Sequence, residues 1–236
     1  SSDWHIGAKE HNLYIQKIQE LKKLYCDKLE IYTGFEADYI QGVTLPSFDA
    51  YKEFNPDYLI GAVHFVPSYQ GGFFEADGNF IQTRQKIQNL FNGKEKNAVC
   101  SYFECQRKML KDGNFTFMAH PDLIRKQNAK KTLFDESESW YKKELKATVK
   151  AIKKAGVVVE INTGAIGRKL MEDSYPSEQF LELLHNEGIP VCINSDSHAI
   201  ETIDAAFEHA TVKAKKAGYT ELIYPFCKSA VSIPLK

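Results

Sequence analysis

Residues 138–163 read ESWYKKELKATVKAIKKAGVVVEINT, and this stretch decides the fold class. In its first part the apolar side chains, among them Leu145 and Val149, fall on one face at helical spacing, which predicts a helix over 138–155. Gly156 is expected to end that helix. The following segment, 157–161, is apolar apart from Glu160, as in a strand buried on both faces. A helix followed at once by a buried strand is the repeating unit of a parallel α/β sheet.

The same alternation extends in both directions along the chain. Further helices are predicted over 12–23, 80–91, 98–110, 177–186 and 202–217. Further strands are predicted over 29–33, 58–65, 115–119, 191–194 and 221–224. The polar, glycine-containing stretch 68–78 predicts an irregular active-site loop. A chain of 236 residues that is 43% hydrophobic can bury one large core, so we expect a single α/β barrel domain over 1–236.

Composition argues against several classes of partner. The 30 basic and 31 acidic residues give a net charge of −1, so no global field attracts nucleic acid or a membrane surface. No apolar run approaches the ~18 residues of a membrane span. The cysteines are odd in number and lack CxxC spacing, which favours a reducing cytoplasm over a disulfide framework. They are Cys26, Cys100, Cys105, Cys192 and Cys227.

Several acidic and imidazole side chains stand where predicted strands run into loops. Because the carboxyl ends of parallel strands meet at one edge, these side chains are expected to converge. Mixed nitrogen and oxygen ligands suit zinc, iron or manganese, and an ion with an open position activates water. The set predicts a metal-dependent hydrolase, although it holds too few ligands for three ions. Its members are Glu36, His64, His120, Asp196 and His198.

Each of these residues also has a simpler interpretation. A single histidine at a strand end is more often a satisfied, partly buried side chain than a ligand. Asp196 could cap a following helix. Glu160 and Asn162 could cap the loop after their strand or support a metal-binding imidazole. Asp38, close to Glu36, is expected on the opposite face of its strand.

Basic residues supply candidates for binding a phosphate. Arg168 and Lys169 follow a glycine-containing loop after the predicted strand 157–161, and Arg125 and Lys126 follow His120 at a short distance. Adjacent basic residues are usually a solvated pair. On loops leaving barrel strands they could instead bind phosphate, with arginine as the bidentate partner.

Six ordered motifs together resemble one known family. They are GFEADY (34–39), GAVHF (61–65), AHPDLI (119–124), EINTG (160–164), NSDSH (194–198) and SIPL (232–235). In this order they resemble the histidinol-phosphatases of the polymerase and histidinol phosphatase (PHP) family, over essentially the whole chain. The resemblance implies a distorted (β/α)7 barrel with a metal site at its carboxyl face. It also implies hydrolysis of L-histidinol phosphate, in histidine biosynthesis, by a metal-bridging hydroxide.

The resemblance further implies roles for single residues. Glu36 would bridge two ions, and His64 and His120 would complete one of them. Asp196 and His198 would bind the first and third ions, so that two or three divalent ions are expected. We take Glu36, Asp196 and His198 as catalytic. The residues taken to bind the phosphorylated substrate are Arg168, Lys169 and Arg125.

The chain departs from the family at its amino terminus, where members carry a strand ending in His-x-His. We therefore expect the first barrel strands to be missing from this chain, and the 236-residue chain alone to hydrolyse the substrate poorly. Two other functions stay open. One is a non-catalytic PHP-fold binding module, and the other is a PHP-like hydrolase that acts on another phosphoester.

Overall fold

The computed structural model describes residues 6–7, 9–130, 132–226 and 229–235. The strands are β1 (Gly34–Asp38), β2 (Tyr58–Ala62), β3 (Phe65–Pro67), β4 (Phe73–Glu75), β5 (Phe117–Met118), β6 (Val158–Asn162), β7 (Val191–Asn194), β8 (Glu221–Phe226) and β9 (Ser229–Pro234). The α-helices are α1 (His11–Leu24), α2 (Phe48–Tyr51), α3 (Phe80–Phe91), α4 (Glu95–Asp112), α5 (Ser139–Ala155), α6 (Gly164–Gly167), α7 (Glu178–Asn186) and α8 (Phe207–Lys216). Short 3-10 helices cover Lys52–Phe54, Leu123–Asn128 and Ile200–Thr202. Cys227 lies outside the described residues, and the other four cysteines are free thiols.

A parallel sheet forms the centre of the fold, in the order β1, β2, β5, β6, β7. Helices connect successive strands, so the carboxyl ends of all five lie at one edge. The predicted α/β class with a parallel sheet is confirmed. A closed barrel is not found within the described ranges, where β1 and β7 are the outer strands of an open sheet.

Helix α5 and strand β6 have the predicted form. Helix α5 ends at Gly156, whose φ of 71° lies in the left-handed region that favours glycine. Strand β6 follows, and all five of its residues are buried. The prediction of a strand covered on both faces is confirmed.

The first strand begins later than predicted, at Gly34 rather than at 29. Gly34 is the register partner of Tyr58, and a Cβ at Gly34 would lie 2.4 Å from the Tyr58 ring. The glycine therefore lets that ring pack against the strand. Just before it, the Thr33 N–H donates to the Asp57 carboxylate at 2.7 Å, so 29–33 leads toward the sheet without pairing in it.

Two antiparallel hairpins stand outside the parallel sheet. Strand β3 pairs with β4, so part of the stretch 68–78 is a strand and not the predicted irregular loop. The reason is burial of Phe74, which is fully covered and anchors this segment. Strand β8 covers the predicted strand 221–224, but it pairs with β9 and does not extend the parallel sheet.

The two faces of the parallel sheet are covered differently. On one face Leu59, Val159 and Val191 share a large buried cluster with helix residues such as Tyr102 and Leu145. The opposite face carries a smaller buried cluster, covered by the hairpin of β8 and β9. That cluster consists of Phe117, Val158 and Cys192, with Ile223, Tyr224 and Phe226 of the hairpin packed against it.

Tyrosine hydroxyls bind the backbone of both outer strands. The Tyr224 hydroxyl accepts from the Ile193 N–H at 3.1 Å and donates to the Ile193 carbonyl at 3.0 Å. The Tyr14 hydroxyl donates to the Gly34 carbonyl at 2.8 Å. These bonds occupy polar groups at strand edges that would otherwise invite pairing with another chain.

Helix α1 is found where the sequence predicts a helix over 12–23, yet it lies on the surface. None of its residues is fully buried, and Leu24 is 71% exposed.

Among the described residues, no helix combines the length and the apolar character needed to cross a membrane.

Candidate metal centre

Three side chains of the ligand type meet at the carboxyl edge of the sheet. Glu36 lies on β1, His64 follows β2 and His120 follows β5. The Nε2 atoms of His64 and His120 lie 3.5 Å and 3.3 Å from the same Glu36 oxygen, Oε1. One ligand atom from each residue lies within 4.8 Å of the other two, so all three can bind one ion.

These distances fit a divalent metal ion. Metal–ligand bonds of about 2.0–2.2 Å place two ligands of a tetrahedral zinc roughly 3.3–3.6 Å apart. Two imidazoles and a carboxylate also leave the fourth position open, as catalytic zinc sites do. Iron and manganese accept the same donors. The residues present therefore suit the ion that the sequence predicts here.

Asp38 contacts the His64 ring at Nδ1, the nitrogen that does not face Glu36. The Asp38 Oδ1 atom lies 2.6 Å from His64 Nδ1, and each side chain is only 10% exposed. The prediction that Asp38 lies on the face opposite Glu36 is wrong, because residues i and i+2 of a strand point the same way. A carboxylate on Nδ1 fixes the ring so that Nε2 faces the ion.

His120 is held through its backbone. Its N–H donates to Glu160 Oε1 at 2.8 Å, and the Tyr102 hydroxyl donates to its carbonyl at 3.3 Å. Glu160 in turn accepts from Asn162 Nδ2 at 2.7 Å. Glu160 therefore holds the backbone of His120, whereas Asn162 also caps the following loop, since its Oδ1 accepts from the Gly164 N–H at 2.9 Å.

Asn194 is a neighbour of the site to which the sequence assigns no role. Its Nδ2 donates to Glu160 Oε2 at 2.8 Å. Asn162 and Asn194 are register partners at the ends of β6 and β7. The sequence does place an asparagine at the end of each of these two strands. That the two asparagines lie side by side follows only from the register of β6 and β7.

Asp196 and His198 lie on the loop after β7, beside the three-residue cluster. Asp196 has a φ of 46°, a left-handed conformation that aspartate adopts more readily than most residues. Its Oδ2 lies 3.4 Å from Asn162 Nδ2. Gly164 makes room for this arrangement, since a Cβ there would lie 2.9 Å from the same oxygen.

Arg168 contacts both residues of that loop. Its Nη2 donates to Asp196 Oδ2 at 3.0 Å and its Nη1 to the Asp196 carbonyl at 2.7 Å. Nη1 also lies 3.0 Å from His198 Nδ1. The guanidinium thus lies against the loop that carries Asp196 and His198.

Electrostatics couple the five predicted ligands. Burial by itself lowers the pKa of His120, but the hydrogen bond and charge of Glu36, aided by Glu160 and Asp196, raise that pKa to about 9. Burial would raise the pKa of Glu36, yet His120, His64 and His198 hold it well below its usual value. The charges of Asp196 and His198 therefore influence the pKa values of His120 and Glu36. Neither residue belongs to the group of three whose ligand atoms lie within 4.8 Å of one another.

The other predicted substrate-binding residues are placed differently. Arg125 is 11% exposed, with Nε 2.8 Å from Glu136 and Nη2 3.1 Å from Asp173. These carboxylates occupy the guanidinium, which argues against its predicted contact with substrate. Lys169 is exposed, with a φ of 57°.

Lys126 comes closer to the site than Arg125 does. Its Nζ donates to the backbone carbonyl of Asp77, on the segment after β4. Burial lowers the pKa of Lys126. The charge of Arg168 lowers this pKa further, whereas the charges of Asp77 and Asp196 raise it. Lys126 is therefore near enough to Arg168 and Asp196 for their charges to act on its ammonium group.

No model of a known protein family matches the chain. Two curated relatives align over most of it. A probable histidinol-phosphatase of Schizosaccharomyces pombe is 26% identical over 218 residues, which are 91% of this chain and 68% of that protein. A probable histidinol-phosphatase of Deinococcus radiodurans is 22% identical over 215 residues, 91% of this chain and 75% of that protein.

Two solved structures share the fold. A candidate histidinol phosphatase from Listeria monocytogenes superposes with a TM-score of 0.75 at 22% identity, covering 86% of this chain and 77% of that one. The histidinol phosphate phosphatase of Lactococcus lactis, complexed with zinc, L-histidinol and phosphate, gives a TM-score of 0.66 at 20% identity. That match covers 98% of this chain and 82% of the other. The resemblance to histidinol-phosphatases predicted from the motifs is confirmed.

Proposed function

We propose that this protein is a metal-dependent phosphomonoesterase that hydrolyses L-histidinol phosphate to L-histidinol and phosphate, in histidine biosynthesis. One observation carries the proposal. A cluster of Glu36, His64 and His120 at metal-ligand spacing lies in a chain that aligns over 91% of its length with proteins named probable histidinol-phosphatase. The zinc, L-histidinol and phosphate bound by the Lactococcus lactis enzyme support both the cofactor and the substrate.

The ligand residues are assigned from their placement. His64, His120 and Glu36 would hold one ion, and Asp196 and His198 would add ligands for a second or third. When bound, such ions neutralise phosphoryl oxygens and activate a water molecule as nucleophile. The low pKa of Glu36 keeps its carboxylate ionised at neutral pH, as an anionic ligand requires. Asp38 keeps the His64 ring oriented for binding.

The basic residues would position the substrate phosphate. Arg168 presents its guanidinium beside Asp196 and His198, and a guanidinium matches two phosphate oxygens at once. Lys126 would add a second positive charge from the 3-10 helix after His120. Lys169, exposed next to Arg168, would add charge that attracts the anion as it approaches.

The test is release of phosphate from L-histidinol phosphate by the full-length gene product. Removal of metal with a chelator should abolish turnover, and zinc, manganese or iron should restore it. His120→Gln and Asp196→Asn should each abolish turnover. His209→Gln is the matched control, since His209 is exposed on α8 and faces Asp173. Undiminished turnover after metal removal, or no turnover with any of the three metals, would contradict the proposal.

A further inference from the structure

Glu160 is a buried carboxylate on which three strand ends converge. The residue is 3% exposed. Its Oε1 accepts from the His120 N–H at 2.8 Å and from Asn162 Nδ2 at 2.7 Å, and its Oε2 accepts from Asn194 Nδ2 at 2.8 Å. The three donors come from the end of β5, from β6 and from β7. This one carboxylate therefore fixes the relative position of three neighbouring strands at the edge where the site lies.

The contacts continue from Glu160 to both sides of the site. On the β5 side, Glu160 binds the backbone N–H of His120, the same residue whose ring is a predicted ligand. Toward β7 they reach Asp196, because Asn162 Nδ2 lies 3.4 Å from Asp196 Oδ2. The Asn162 side chain is itself fixed, since its Oδ1 accepts from the Gly164 N–H at 2.9 Å. The predicted ligands His120 and Asp196, on the two sides of β6, are therefore both linked to Glu160 by these contacts.

Packing of the strand by itself does not require a carboxylate at this position. A carboxylate withdrawn from water costs free energy that an apolar side chain of similar size would avoid. Strand β6 is otherwise filled by apolar residues such as Val158 and Val159 up to this position. Two donors share Glu160 Oε1 and the third faces Oε2, and an ionised carboxylate can accept all three hydrogen bonds.

We propose that Glu160 is a positioning residue that sets the placement of His120, through its backbone N–H, and of Asp196, through Asn162, before metal binds. The inference rests on the proposed function, because it assumes that His120 and Asp196 are metal ligands. Groups that orient ligands from outside the coordination sphere typically contribute 10- to 100-fold to metal affinity. Glu160 contributes in this way without touching the metal, the substrate or the ring of a ligand.

The experiment compares zinc affinity, by competition with a chromophoric chelator, in the full-length protein and in variants. Glu160→Gln keeps the shape but removes the negative charge, and its N–H2 forces the Asn194 amide to turn over, so zinc affinity should fall by about 10- to 100-fold. The double variant E160Q/N194D offers the amide an acceptor at position 194, and it should recover most of the lost affinity. Glu144→Gln is the matched control, because Glu144 pairs with Arg107 at 2.7 Å between α5 and α4, away from the site.

Cobalt absorption supplies a second readout, since the visible spectrum of bound Co²⁺ reports the geometry of its ligands. Glu160→Gln should change that spectrum and Glu144→Gln should not. Unchanged zinc affinity and an unchanged cobalt spectrum in Glu160→Gln would overturn the inference, as would equal losses in both variants. If Glu160→Gln does not fold, Asn194→Ala should show a smaller loss in the same direction, and no loss would overturn the inference. Failure of the unaltered protein to bind zinc would instead refute the proposed function.

Discussion

Replacing Asp38 with asparagine should weaken metal binding while leaving the fold intact. The Asp38 carboxylate lies 2.6 Å from His64 Nδ1, and both side chains are 10% exposed. Burial lowers the pKa of His64, but the hydrogen bond and charge of Asp38, with the charge of Glu36, leave it raised. Asp38 thus makes the imidazole more basic and holds Nε2 toward Glu36, and both effects favour a bound cation.

The size of the effect follows from the kind of hydrogen bond that is lost. Asparagine can still accept from Nδ1–H, so Asp38→Asn exchanges a charged bond worth about 1.5–3 kcal/mol for a neutral one worth about 0.5–1.5 kcal/mol. The difference of roughly 1–1.5 kcal/mol corresponds to about tenfold in affinity. Asp38→Ala removes the whole bond, so affinity should fall by about 10- to 100-fold.

Zinc affinity is measured by chelator competition at fixed pH. Asp49→Asn is the matched control, since Asp49 is exposed on α2. Urea denaturation of the metal-free proteins shows whether each variant keeps its fold. If Asp38→Asn and Asp38→Ala both bind zinc as tightly as the Asp49 control, the assignment of Asp38 as the residue that orients His64 is refuted.

Three further outcomes are expected. Zinc affinity should rise by about tenfold from pH 7 to 8 and by about fivefold from pH 8 to 9, because His120, whose pKa is raised to about 9, must lose its proton before it binds. Calorimetry in buffers of different ionisation enthalpy measures that proton, and a flat profile would argue against His120 as a ligand. Arg168→Ala should raise KM for L-histidinol phosphate more than it lowers kcat, and Lys126→Ala should do the same more weakly, as steady-state kinetics can show; an effect on kcat alone would speak against phosphate positioning. Tyr224→Phe removes the partner of the Ile193 N–H and should lower the free energy of unfolding by about 1 kcal/mol, measured by urea denaturation, whereas an unchanged value would mean that water replaces the hydroxyl.

Local patterns in the sequence were enough to predict the central βα units. Helix α5, its glycine end and strand β6 follow from spacing and burial within one stretch of 25 or so residues, as such regular elements do. His64 and His120 follow their strands as predicted, whereas Glu36 lies within β1 and not after a strand that ends at 33. Their meeting at one edge depends only on the strands being parallel.

Features that depend on the pairing of distant segments were not predictable. The start of β1 at Gly34 is set by its register against Tyr58, 24 residues later. The pairing of β8 with β9, and the open sheet in place of a closed barrel, depend likewise on which segment lies beside which. Strand propensity and hydrophobic periodicity carry no information on register. The sequence therefore predicts where these segments lie along the chain but not which segments they pair with.

The same distinction applies within the site, between the groups that could bind a metal and the groups that hold them. Each predicted ligand carries its own chemical signal, a histidine or a carboxylate at a strand end. Asn194 carries none until strands are paired, and the contacts of Asp38 and Lys126 likewise depend on partners that lie on another strand or loop. Since an imidazole binds a metal well only when its ring is held, the contacts across strands decide how well these ligands work. The affinity of this site should therefore depend as much on the register of the sheet as on the identity of its ligands.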